Sequence, residues 1–136
     1  MAAPLESIRG VPLFADLDEA ELEQVARLFK ERTFSAGETV AKEGSGGAAF
    51  FLIESGTASV SVGGQPRDGL GPGDYFGEIA LIDEGARSAT ITASEDLVCQ
   101  GLTYWDFRPL VMENAAICWK LLQFMVGRLR AAESRA

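Results

Sequence analysis

The sequence contains no histidine. That absence removes Ser-His-Asp and Cys-His catalysis, most zinc sites and the histidine-bearing metal centres of cupin barrels. Catalysis loses its commonest general base, so a binding module, not an enzyme, becomes the default expectation. Cysteine is scarce as well. Cys99 and Cys118 make neither a disulfide framework nor a metal-ligand cluster, and two buried free thiols are expected. Positive charge is in deficit, with 12 Lys and Arg against 20 Asp and Glu and a formal net charge of −8. That balance argues against non-specific nucleic-acid binding, which rests on neutralising phosphates, and against docking on anionic membranes. No apolar run approaches the roughly 20 residues that span a bilayer. The N-terminal MAAPLESIRG lacks the apolar stretch of a signal peptide, and a cytoplasmic location is expected.

What is present suits one domain over 1–136. The apolar fraction of 47% and charged fraction of 24% are those of an ordinary globular chain. The organisation reads as helical over 1–32, strands over 33–102 and helices over 103–136. ADLDEAELEQVARLFKE places Leu22, Val25, Ala26 and Phe29 on one helical face. Asp18 is positioned as the N-cap with Glu21 at the capping-box position, and Leu17 and Leu22 flank them as a hydrophobic staple, so a helix is expected from Asp18 to Phe29. From Thr33 to Leu102, runs such as FFLIE, TASVSV, ATITA and LVCQGL alternate with glycine turns at Gly37, Gly44, Gly46-Gly47, Gly56, Gly63-Gly64 and Gly69 to Gly73. Short β-branched and aromatic segments at that spacing indicate an antiparallel sandwich or barrel. SVSVGGQ reads as a hairpin, because Gly63-Gly64 can supply the positive φ angles of a tight turn.

After Thr103 the helical pattern returns. YWDFRPLVMEN predicts a short helix with Pro109 in its first turn or at a break. NAAICWKLLQFMVGRLRAAESRA is the strongest helical stretch, with Asn114 at its N-cap. Cys118, Leu122, Met125, Leu129 and Ala132 alternate four- and three-residue steps, the spacing of a heptad seam, and Ile117, Leu121 and Phe124 widen it. Such a stripe can face the core or a second helix. Trp105 and Trp119 are expected in the core, and Tyr75 at the core or rim of the barrel.

The chemistry concentrates in FGEIALIDEGARSAT, from Phe76 to Thr90. A glycine-rich turn opening a helical turn, here GPGDYFGE into Gly77–Ala80, presents free N–H groups and partial positive charge to an anion. Gly73 and Gly77 permit close backbone approach. Arg87 offers a planar fork of donors that matches phosphate oxygens, and Ser88 can add a hydroxyl. The alternative for Arg87 is a surface pair with Asp83 or Glu84. Glu78 repels phosphate but accepts from hydroxyls; its alternative is a structural pair with Arg87. Phosphate on one side and hydroxyl on the other describe a ribose phosphate.

These residues resemble the phosphate-binding cassette of the cyclic nucleotide-binding domain family, which carries Phe-Gly-Glu-Leu/Ile-Ala-Leu, a short spacer and an Arg-Ser/Thr/Ala-Ala-Thr-like end. Here they read FGEIAL and RSAT. PLFADLDEAELEQVA, AGETVAKEG, FFLIESGTASV, LGPGDYFGE and the closing RLR helix also fall where that family places them. The resemblance implies a mostly β fold, a jelly-roll-like β-roll of about eight strands with one flanking helix before it and helices after it. It implies that the chain binds cAMP or cGMP. The 2′-hydroxyl is assigned to Glu78, the cyclic phosphate to Arg87, and further phosphate contacts to Ser88 and the N–H groups of Gly77 and Ala80. Phe76, Ile79, Ala89 and Thr90 complete the cassette, and Ser88 leans towards cAMP. No helix-turn-helix follows the long helix before Ala136, so DNA binding is not expected. Ala131, Ala132 and Glu133 occupy the helix positions that would approach the base. The expectation is a stand-alone regulatory module whose ligand repositions the C-terminal helix, a surface for a homodimer or partner protein. The competing expectation is an interaction module of the same fold without a nucleotide.

Overall fold

Residues 4–45, 49–83 and 87–135 are described in a computed structural model. The turn expected at Gly46-Gly47 lies outside the described residues. A first helix, α1 (Leu5–Arg9), and a 3-10 turn (Pro12–Phe14) lead into α2 (Glu19–Ala26). Asp18 caps α2 as its sequence directs: its carboxylate accepts from Glu21 N–H at 2.8 Å, and Glu21 accepts from Asp18 N–H at 2.9 Å. The helix ends earlier than Phe29. The backbone tightens through Leu28 and Phe29 N–H bonds to Val25 and Ala26, yet the Phe29 ring is still buried. The apolar period outlives the helix because the core takes the side chain, not the backbone.

The strands are β1 (Lys30–Phe34), β2 (Thr39–Ala41), β3 (Ala49–Ser55), β4 (Ala58–Val62), β5 (Gln65–Leu70), β6 (Tyr75–Phe76), β7 (Thr90–Ala93) and β8 (Leu97–Thr103). The first begins at Lys30, ahead of Thr33. They pair antiparallel in two four-stranded sheets, ordered β1-β8-β3-β6 and β2-β7-β4-β5, the expected mostly β architecture flanked by helices. Gly63 and Gly64, at φ +59° and +78°, close the β4–β5 hairpin.

The run FFLI is continuous because β3 is buried on both faces. Phe50 and Leu52 point to a core shared with the helices, built on Phe14, Leu22, Phe107 and Ile117. Phe51 and Ile53 point into the barrel with Phe34, Ile91 and Leu97. Phe50 contacts Phe14 and Phe29 edge-to-face at 6.2 and 6.0 Å, so one strand ties barrel to helices.

Two helices follow β8: α3 (Tyr104–Glu113) and α4 (Ala115–Ser134). Pro109 lies in the interior of α3, not in its first turn. Its missing N–H deprives the Trp105 carbonyl of a helical partner, and Trp105 is on the solvent side. Asn114 sits at the start of α4, but its side chain does not cap that helix. It donates to the Leu110 carbonyl at 2.7 Å and so closes α3 instead. Lys120 fastens α4 to α2 through Glu21 at 2.6 Å. The apolar residues of α4 divide: Ile117 and Leu121 are buried, whereas Leu122, Met125 and Leu129 are exposed.

Three burial expectations are corrected here. Trp105 and Trp119 are 62% and 61% exposed, because their helices turn Phe107 and Ile117 inward and leave the tryptophans on the outer side. Cys118 is exposed at the head of the α4 stripe, while Cys99 is buried. Burial, then Glu54, pushes the Cys99 thiol up to about 11, so it stays protonated at neutral pH. Among the described residues no helix is long and apolar enough to cross a membrane. Burial sets the scale for mutation: Phe50→Ala is expected to cost about 3–5 kcal/mol of unfolding free energy, and Trp105→Ala no more than about 1 kcal/mol. Urea unfolding of both variants checks this ordering.

Candidate functional site

The cassette begins where β6 runs out. Its two residues pair with β3, Phe51 opposite Phe76 and Leu52 opposite Tyr75, and the Phe76 ring lies 5.4 Å from Phe51. The chain then reverses at Gly77, whose φ of +85° falls in the left-handed region. A Cβ there would stand 2.5 Å from Arg87 Nη1 and 2.7 Å from the Ala49 carbonyl oxygen. Glycine is therefore required twice, for the turn and for the approach of the arginine. A 3-10 turn, Glu78–Leu81, follows. Its Ala80 N–H donates to the Gly77 carbonyl at 3.0 Å, and buried Leu81 anchors it in the helix-side core. Ile79 belongs to the same turn, and its side chain lies outside the described residues.

Arg87 enters the site from the other side. Its backbone is clipped to the end of the β2 segment, with N–H to Ser45 at 2.8 Å and C=O from Gly44 N–H at 2.9 Å. Its Nη2 donates to the Ala49 carbonyl at 2.6 Å. The side chain is half-buried, and burial pushes its pKa below the ordinary arginine value. Glu78 is not paired with it, since its carboxylate goes to Arg128; Glu84 lies outside the described residues. A half-buried cation fixed by a neutral carbonyl retains donors for an anion. Ser88 beside it is exposed and Ala89 half-buried. Thr90, the first residue of β7, accepts at Oγ1 from the Glu43 N–H at 3.0 Å.

Glu78 pairs elsewhere. Its carboxylate lies 3.7 Å from Arg128 on α4, and the Arg128 guanidinium sits over the Phe124 ring at 5.9 Å from its centroid. Leu13, Glu78, Ile82, Phe124, Met125 and Arg128 are among the residues lining a cavity of about 160 Å³. Burial, then the Glu78 charge, holds the Tyr75 phenol above its usual pKa. Arg128 was missed by motif reading. The signal was available, since 117, 121, 124 and 128 follow the helical period and set the arginine on the face that α4 turns to the domain. A second, apolar cavity of about 260 Å³ lies between this turn and both C-terminal helices, with Leu81, Phe107, Leu121 and Leu122 in its wall.

Residues 31–114 match the family model described as cyclic nucleotide-binding domain. Over 131 residues the chain is 34% identical to the cyclic AMP receptor protein of Thermus thermophilus, covering 93% of this chain and 61% of that protein. Over 92 residues it is 40% identical to a cGMP-dependent protein kinase of Toxoplasma gondii, covering 68% of this chain and 9% of the kinase. The chain thus spans less than two thirds of these relatives. The N-terminal domain of a transcriptional regulator from Streptomyces coelicolor superposes with a TM-score of 0.86 at 26% identity, covering 95% of this chain and 94% of that one.

The two cassette glycines separate conformational strain from steric contact. At Gly73, φ +89°, an added Cβ meets nothing within 4 Å, and Gly73→Ala is expected to cost about 1–2 kcal/mol. Gly77→Ala is expected to cost more, because it also displaces Arg87; equal losses in urea unfolding would contradict that close packing.

Proposed function

The chain belongs to the cyclic nucleotide-binding domain family, and we propose that it binds cAMP in preference to cGMP and acts as a regulatory module by binding, not by catalysis. The observation that carries this reading is Arg87, half-buried, held in place by the Ala49 carbonyl and not engaged by Glu78, whose carboxylate pairs with Arg128. Its unused donors suit the two exocyclic oxygens of a cyclic phosphodiester. Ser88, exposed next to it, would add a hydroxyl. Phe76 and Gly77 would shape the floor, with Ile79, Ala89 and Thr90 supporting the loop. The Ala80 N–H is already engaged with Gly77, so its phosphate contact would be shared with that bond.

Glu78 would accept from the ribose 2′-hydroxyl. To do so it must give up part of its hold on Arg128. At 3.7 Å the pair is loose and half open to solvent on the Arg128 side, and surface pairs contribute only about 0.2–1 kcal/mol, so a directed hydroxyl contact can replace it. Nucleotide would then loosen one tie between the cassette and α4 and favour a state with that helix repositioned. Such a shift requires unequal ligand affinity for the two states, and the Glu78–Arg128 pair supplies the inequality. The exposed stripe of α4 supports a homodimer as the moving helix's output.

Isothermal titration is expected to show one site per chain and tighter binding of cAMP than of cGMP. Arg87→Ala is expected to weaken cAMP binding by at least about 100-fold while the chain stays folded. No heat with either nucleotide at millimolar concentration would contradict the reading.

A further inference from the structure

We propose that the apolar cavity between the end of the Glu78–Leu81 turn, α3 and α4 is a binding site for an apolar monocarboxylate of about ten carbons, with Arg108 and Tyr104 taking the carboxylate. Neither Glu78 nor Arg87 lines this cavity, so the proposal does not rest on the nucleotide reading.

The size and tail of the ligand follow from the wall. Protein cores leave few voids larger than a water molecule, yet about 260 Å³ stays open beside Leu81, Phe107 and Leu121. Those three side chains are buried in the helix-side core, so the floor of the cavity is fixed. An apolar floor of this kind does not hold water. A cavity of about 150 Å³ with such walls takes the six carbons of benzene, and in proportion this one takes about ten. The mouth is apolar as well and open to solvent, with Ile82, Met112 and Leu122 at 51%, 69% and 54% exposed. Met112 and Met125 are unbranched and adaptable, and can close on a tail of irregular shape.

The head group follows from charge. Among the described residues of the wall, Arg108 is the only charged one, and no carboxylate lines the cavity. Arg108 has no ion-pair partner among the described residues. The acid nearest to it on α3, Asp106, turns to Lys30 at 3.8 Å. Tyr104 stands one helical turn before Arg108 and lines the same cavity, so a phenol and a guanidinium share one helix face. The guanidinium can donate to both carboxylate oxygens, and the phenol adds a further donor. A carboxylate therefore pairs the cation at the rim while its tail fills the void. A cationic amphiphile would meet Arg108 as a like charge, and a neutral one would leave it unpaired.

The test is isothermal titration with octanoate, decanoate and tetradecanoate below their micellar concentrations, and with 1-octanol, on wild type, Arg108→Gln and Val111→Phe. One site per chain is expected, with affinity rising about threefold to fourfold per methylene up to decanoate and flat from there to tetradecanoate. Octanoate is expected to bind about tenfold tighter than 1-octanol, and Arg108→Gln to bind the two alike. Val111 lines the cavity, and its replacement by Phe is expected to weaken decanoate at least about tenfold. Arg108 is exposed, so Arg108→Gln keeps the test if the filled variant does not fold. Cys118 reports the location, because it lines the cavity and is exposed whereas Cys99 is buried. Decanoate at about ten times its Kd is expected to slow alkylation of Cys118 about tenfold. The proposal is overturned if decanoate does not bind, including the case in which sedimentation shows a second copy covering the mouth. Affinity that keeps rising to tetradecanoate, as non-specific adsorption would, overturns it too, as do equal binding of octanoate and 1-octanol by wild type and a Cys118 that decanoate leaves unprotected.

Discussion

Arg87 donates from Nη2 to the Ala49 carbonyl at 2.6 Å, and the site depends on that bond. A free arginine side chain carries about 2 kcal/mol of rotamer entropy, which a ligand would otherwise have to overcome. Here β3 supplies the carbonyl, Gly77 gives way to the guanidinium, and the Gly44–Ser45 backbone clamps the arginine's own N–H and C=O. The charge is thus placed before any anion arrives. This also reconciles an acidic chain with the proposed anion site: a net charge of −8 acts through a screened long-range field, whereas a fixed donor fork acts at contact distance.

From that fixed point the rest of the cassette follows. The turn that makes room for Arg87 is the turn that starts the Glu78–Leu81 helix, and the residue after Gly77 is Glu78, directed to α4 and Arg128. Leu81, at the far end of the same turn, is packed in the core shared with Phe107, Ile117 and Leu121. A change at the cassette therefore has two routes to the C-terminal helices, one electrostatic through Glu78 and one steric through Leu81. Lys120–Glu21 ties α4 near its start, while its later turns are exposed, which leaves the far end of the helix the freer one.

Much of this was legible in the sequence wherever local chemistry decides the outcome. Asp18 with Glu21, the glycine pair at 63 and 64, and the FFLI strand all fold as read, because capping, positive φ and two-sided burial are set by a few neighbouring residues. The cassette turn at Gly77 was legible for the same reason. What escaped depends on packing at a distance. Trp105, Trp119 and Cys118 were expected inside because large apolar groups and thiols usually are, but that assumes the chain is its own only partner. Asn114 stands at the N-cap position of α4 as read, but its side chain bonds back to the Leu110 carbonyl of the helix before it. Arg128 lies fifty positions from Glu78 in sequence, and only the folded helix reveals that it continues the inward face of Ile117, Leu121 and Phe124.

The central claim is that one sugar–phosphodiester ring bridges Arg87 and Glu78 and takes Glu78 from Arg128. The most direct measurement is a crystal structure of the chain with saturating cAMP. The account predicts phosphate oxygens on the Arg87 guanidinium, the 2′-hydroxyl on Glu78, and an Arg128 to Glu78 distance well beyond 3.7 Å. Nucleotide bound elsewhere, or bound with Arg87 engaged only by Ala49 and the Glu78–Arg128 pair unchanged, would contradict it.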